Sequence, residues 1–146
     1  MSYKMKVCFG KSWGKENPSP EEIERAIDEL RPIKDNFIIL ESYQRIENCE
    51  FIQTVISRGS DPENSFGDDE IVYLVEVQFM YTEKQESGKS KKLEKGSFNQ
   101  FAYRTSDVDE VKRMFRMFAL GRVPDITSWN DITEEIYALI DKKEAD

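Results

Sequence analysis

The chain contains no histidine. That removes the imidazole general base, the Ser-His-Asp and Cys-His arrangements built on it, and imidazole as a zinc ligand. Chemistry is left to carboxylates, amines, hydroxyls and two thiols, Cys8 and Cys49. The two cysteines belong to no CxxC pair and cannot by themselves make a thiolate metal site. Gly10-Lys11-Ser12 and Gly88-Lys89-Ser90 each look like the end of a phosphate-binding loop. Such a loop needs a glycine five positions earlier so that backbone amides can cradle phosphate, and those positions hold Met5 and Glu83. Asp61-Pro-Glu-Asn-Ser-Phe-Gly67 starts like a calcium loop, but the glycine and the bidentate glutamate that shape such a loop are replaced by Phe66 and Val72. Paired carboxylates can run glycoside hydrolysis. With 29 Asp and Glu in the chain some pairing is inevitable, and Glu21, Glu22, Asp28 and Glu29 fall on the solvent side of a predicted helix. The sequence thus points to no catalytic residue, no metal and no cofactor.

Charge bears on partners. Against those 29 acidic residues stand 21 Lys and Arg, a formal net charge of −8. Long-range repulsion disfavours direct binding to nucleic acid or to an anionic membrane, whereas a cationic partner is attracted and steered. Solubility alone also accounts for an acidic chain. With 38% hydrophobic and 34% charged residues over 146 positions, the composition is that of one folded domain, residues 1–146, with an ionised surface. Cys8 and Cys49 sit in apolar stretches and read as buried free thiols of a reducing compartment, with a disulfide between them as the alternative. The opening MSYKMKVCFG carries no long apolar run, and no window approaches the ~20 apolar residues of a membrane helix. A cytoplasmic location is expected.

Elements follow from periodicity. Residues 3–9 read as a first strand, and residues 10–18 as a turn-rich stretch carrying Trp13. Ser19-Pro20-Glu21-Glu22 is a helix start: Ser19 caps, Pro20 suits the first helical position and Glu22 closes a capping box. Ile23, Ala26, Ile27 and Leu30 repeat at helical spacing, and Pro32 ends the helix. Further strands are predicted over 37–40, 49–57, 71–81 and 93–104. The third of these places Ile71, Tyr73, Val75, Val77, Phe79 and Tyr81 on one face with period two. An acidic loop, 59–70, and a lysine-rich loop, 84–92, join them as an antiparallel meander. A second helix starts near Asp107, with Glu110 as its box partner. Val108, Val111, Met114, Phe115 and Phe118 form its stripe, and Gly121 stops it. A short third helix from Asp131-Ile-Thr-Glu134 turns Ile132, Ile136, Leu139 and Ile140 inward, and the tail from Lys142 frays. The predicted fold is α+β: a mostly antiparallel sheet of about five strands, with two main helices and a short C-terminal helix packed on one face. Trp13 and Trp129 both lie outside the strongly periodic elements and read first as core plugs under loops, and second as binding anchors.

Two stretches together resemble a known family, the bacterial polymorphic-toxin immunity proteins of immunity family one. The first is Asn17-Pro-Ser-Pro-Glu-Glu-Ile-Glu-Arg-Ala-Ile27, followed by the apolar Phe37-Ile-Ile-Leu-Glu41. The second runs from Val108 through Phe118-Ala-Leu-Gly121-Arg122-Val-Pro124 to Trp129. The resemblance covers the two ends of the chain and does not extend to the sheet between them. Its motif residues, Ser19, Pro20, Gly121, Pro124 and Trp129, read as structural: a cap, a stop and a core ring. It implies a protein that binds a cognate toxin domain and neutralises it by protein–protein contact, with no turnover of its own. The toxins of that family are commonly nucleases or nucleic-acid deaminases, whose basic substrate surfaces suit an acidic inhibitor. The expected contact surface is then the segment Asp61, Glu63, Phe66, Asp68, Asp69 and Glu70, which has five carboxylates and no cation. The acidic side of the first helix, Glu21, Glu24 and Asp28, is the alternative. Two other classes stay open: a scaffold or regulatory binding module, and a carboxylate hydrolase with a divalent cation, which would need a concave acidic cluster.

Overall fold

A computed structural model describes residues 3–9, 12–32, 36–58, 71–81 and 97–145. In chain order the elements are β1 (Tyr3–Phe9), β2 (Ser12–Glu16), α1 (Pro20–Asp28), β3 (Asn36–Ile46), β4 (Cys49–Arg58), β5 (Ile71–Met80), β6 (Phe98–Thr105), α2 (Val108–Ala119), β7 (Asn130–Asp131) and α3 (Thr133–Ala145). The strands form a seven-stranded sheet in the order β2-β1-β3-β4-β5-β6-β7. Every neighbouring pair is antiparallel. This is the α+β class that the periodicity predicts, with the expected meander from β3 to β6.

Seven strands replace the expected five. The segment Ser12–Glu16 has little alternation and reads as turn, yet it pairs with β1, Trp13 standing opposite Val7. A partner strand decides its conformation, which no local pattern could do. β7 is only a two-residue pairing, Ala102 with Asn130 and Phe101 with Asp131. β3 continues past its apolar start to Ile46 and turns at Glu47-Asn48, both with positive φ (50° and 70°), so that Ile46 pairs with Cys49. That is a two-residue hairpin turn of the mirror-image type, made without the usual glycine.

The core lies on one side of the sheet. Met5 and Val7, Ile38 and Leu40, Ile52 and Ile56, and Val75 and Val77 are all buried there. α1 contributes Ile23, Ala26 and Ile27, and α2 contributes Val111, Phe115 and Phe118. Each large side chain so buried stabilises by roughly 1.5–3 kcal/mol. The even alternation of β5 breaks at its ends, where Ile71 and Tyr81 are exposed while Val72 and Met80 are buried.

The starts of α1 and α2 and the end of α2 follow their sequence signals, whereas α1 stops at Asp28, before Leu30 and Pro32. Ser19 Oγ accepts from the Glu22 N–H, and the Glu22 carboxylate accepts from the Ser19 N–H. Asp107 caps α2 by accepting from the N–H groups of Asp109 and Glu110. Its own N–H donates to Thr105 Oγ1 at 3.1 Å, the place expected for Glu110. Gly121, at φ 84°, closes α2 through two reversed bonds, Gly121 N–H to Phe118 O and Arg122 N–H to Met117 O. This is a Schellman stop, and the left-handed φ is the reason glycine stands there.

The third helix departs from expectation. It has 13 residues, so it is not short. It lies on the sheet side opposite α1 and α2, so the helices do not share one face. Tyr137 packs its ring on Phe98, centroids 4.7 Å apart, and Thr133 Oγ1 accepts from the Gln100 N–H. Leu139, expected inward, is 59% exposed. The weak amphipathicity of this helix explains the misreading: one aromatic contact and an Asp131–Thr133 cap hold it, instead of an apolar stripe.

The two cysteines are far apart. Cys8 stands opposite Phe37 and Cys49 opposite Ile46, at the two ends of β3. An eleven-residue strand spans roughly 30 Å, against the ~7 Å that a disulfide tolerates between Cα atoms. Cys49 is a free, fully buried thiol, and burial pushes its pKa up to about 12.

Candidate functional site

Because side chains alternate across a strand, the sheet has a second face pointing away from α1 and α2. Among the described elements only α3 reaches it, over β6. Phe37 and Ile39 from β3, Phe51 and Val55 from β4, and Leu74 from β5 stand on this face half-buried. At its centre is Glu76, opposite Gln53 on one side and Ala102 on the other. Gln53 Nε2 donates to Glu76 Oε2 at 2.6 Å, and Gln100 Nε2 donates to Glu76 Oε1 at 3.3 Å. Gln78 Nε2 in turn donates to Gln100 Oε1 at 2.9 Å. A carboxylate is thereby fixed in one orientation by a chain of neutral amides on three strands.

Two concavities flank it. One, of about 380 Å³, is floored by Phe37, Ile39 and Val55 and closed by Gln53 and Glu76. The other, of about 620 Å³, lies between the sheet and α3, with Glu76, Ala102 and Arg104 below and Asp131, Glu135 and Ile136 above. Among the described residues no lysine or arginine lies within ion-pair distance of Glu76. Lys6, on the same face, is paired with Glu41 at 3.3 Å.

The acidic segment Asp61, Glu63, Phe66, Asp68, Asp69 and Glu70 lies outside the described residues, as do Gly88-Lys89-Ser90 and the calcium-like stretch. The alternative face is described, and its charges are engaged. Glu24 pairs with Arg116 at 2.7 Å and Asp28 with Lys112 at 2.8 Å. Two acids one turn apart on α1 thus meet two cations one turn apart on α2, which sets the helices antiparallel. The Asp28 bond holds the Lys112 pKa above its ordinary value. Glu22 is held below the usual carboxylate range by Lys15 and the Ser19 cap. Of the three residues named for this face, only exposed Glu21 has no ion-pair partner among the described residues.

The motif residues at the two ends of the chain are structural. Ser19 and Pro20 open α1, Gly121 stops α2, Pro124 is buried, and Trp129 stacks on Tyr103 with centroids 5.5 Å apart and planes 16° off parallel. The Tyr103 hydroxyl bonds the Glu110 carboxylate, which raises its pKa. Tyr103 therefore ties β6, the start of α2 and the Trp129 segment together. The side chain of Trp13 lies outside the described residues.

No family model, no curated protein and no solved structure matches the chain. Among the described residues no group of three or more Cys, Asp or Glu is gathered to hold a metal. No described helix is long and apolar enough to cross a membrane.

Sequence reasoning missed the Gln53–Glu76–Gln100 group. Its only linear signal was polar residues at the even positions of the strongest strand, Glu76 and Gln78, which read as an ordinary solvent face. Gln53 and Gln100 join them only once the strand register is known.

Proposed function

We propose that the chain is an immunity protein that binds a cognate basic toxin domain, a nuclease or nucleic-acid deaminase, and neutralises it by contact without turnover of its own. The observation that carries this reading is the second sheet face: a broad, half-buried apolar surface with one fixed carboxylate at its centre, in a chain of net charge −8. A rigid antiparallel sheet presents such a surface with little ordering cost on association. The charge balance draws in a basic partner and disfavours nucleic acid itself. The helix cap, the glycine stop and the tryptophan of the family resemblance all serve the scaffold, which agrees with a protein whose function lies on its surface. The acidic segment 61–70, which follows β4 and precedes β5 in the sequence, supplies five further carboxylates for attraction of a basic partner.

Co-expression with the toxin domain encoded beside its own gene is the test. The chain is expected to restore growth and to form a stable complex. Changing Asp68→Asn, Asp69→Asn and Glu70→Gln together should slow association, measured by surface plasmon resonance at two salt concentrations, and flatten its salt dependence. Robust turnover by the purified chain, with or without magnesium, abolished by one carboxylate substitution, would overturn the reading in favour of a hydrolase.

A further inference from the structure

We infer that the concavity beside Glu76 is a receptor for a single arginine side chain presented by a basic protein partner. The inference rests on the binding reading above and names the chemistry of its contact. Each carboxylate oxygen of Glu76 accepts one amide hydrogen bond, from Gln53 or Gln100, and an ionised carboxylate has about four acceptor positions in all. One lone-pair direction on each oxygen is therefore left, the arrangement that a planar guanidinium satisfies with two parallel bonds. The amides that hold the carboxylate are neutral, and among the described residues no cation pairs with it. Lys6 of β1, on the same face, is engaged by Glu41. Arg104 sits on β6, diagonal to Glu76, and makes no ion pair with it.

The floor fits the rest of the side chain. Phe37, Ile39 and Val55 give the 380 Å³ concavity an apolar base. Arginine buries its methylenes against such a surface, and its weakly hydrated guanidinium stacks on an aromatic ring. Lysine, a compact and strongly hydrated point charge, gains less from a flat fork and a ring. A second copy of this chain is a poor occupant, because two bodies of net charge −8 repel.

The experiment is a nuclear magnetic resonance titration of the full chain with three capped peptides, Gly-Arg-Gly, Gly-Lys-Gly and Gly-citrulline-Gly. The arginine peptide should produce saturable shifts at the side-chain amides of Gln53 and Gln100. Its binding should be at least about fivefold tighter than that of the lysine peptide, and the isosteric neutral citrulline peptide should leave the shifts unmoved. Glu76→Gln should abolish the response, and Glu21→Gln should leave it intact. Val55→Trp, which fills the concavity without removing the carboxylate, should abolish it as well. Shifts that survive Glu76→Gln, or that spread over the helix acids and spare Gln53 and Gln100, would overturn the inference. No toxin is present in this assay, so its outcome is separate from that of the growth test: protection retained by the Glu76→Gln chain removes this contact and leaves the function standing.

Discussion

Trp129→Ala should cost the fold roughly 3–5 kcal/mol. The ring is 8% exposed and belongs to the main core cluster, although it sits in an irregular segment between α2 and β7. A tryptophan buries about 150–250 Å², worth ~4–6 kcal/mol at ~25 cal/mol per Å², and the small exposed edge trims that figure. Its stack on Tyr103 adds about 0.5–1.5 kcal/mol beyond area. For a domain of ~5–15 kcal/mol total stability, such a loss removes about a fifth or more. Urea denaturation followed by far-UV circular dichroism reads it without relying on the fluorescence of the deleted ring. A double-mutant cycle with Tyr103→Leu should show coupling of about 1 kcal/mol. A Trp129→Ala unfolding free energy lowered by less than ~1 kcal/mol, or a cycle with no coupling, refutes the packing argument. Loss of growth protection at unchanged stability would make Trp129 an interface ring instead.

Gly121→Val should lose about 1–3 kcal/mol in the same assay, because a β-branched side chain resists φ 84°, while Gly121→Asn should lose less; equal stability of the two variants would show that the φ is not enforced. The Cys49 thiol should be inert to a disulfide reagent at pH 8 in the folded protein and react once it unfolds. Its folded pKa, about 12, lies above the ordinary 9.0, so its contribution to stability is full below pH 9 and is lost as pH rises towards 12. Cys49→Ala should flatten that part of the stability–pH curve, and an unchanged slope would assign the loss to other groups.

Much of the fold was legible because its signals are local. The cap at Ser19, the stop at Gly121 and the period-two alternation in the middle of β5, Tyr73 to Val77, each state a conformational preference within a few residues, and the structure realises all three. What escaped the sequence is decided by partners. β2 is a strand because β1 supplies its hydrogen bonds. The Glu47-Asn48 turn adopts two positive φ values, which Asn48 tolerates but Glu47 does not advertise, because the flanking ladders demand it. α3 changes sides because Phe98, an even-numbered residue of β6, offers a ring for Tyr137 on the face away from the core.

The same division governs the charges. A net charge of −8 belongs to the whole molecule, is screened by salt beyond ~8–10 Å, and steers any cation alike. Close contact depends on which acids are still without a cation. Composition makes the first helix look like the acidic docking face, but its carboxylates are matched one by one: Glu22 by the cap and Lys15, Glu24 by Arg116, Asp28 by Lys112. Those pairs orient α1 against α2 and, among the described residues, leave Glu21 and Glu29 without a cation. Glu76 is the reverse case, an acid beside the apolar floor of Phe37, Ile39 and Val55 whose ligands among the described residues are neutral amides. Recruiting a paired acid to a partner breaks an existing ion pair, whereas a guanidinium can meet Glu76 with both of its amide bonds kept. A basic partner drawn by the whole molecule would therefore find its register on the sheet and not on the helix.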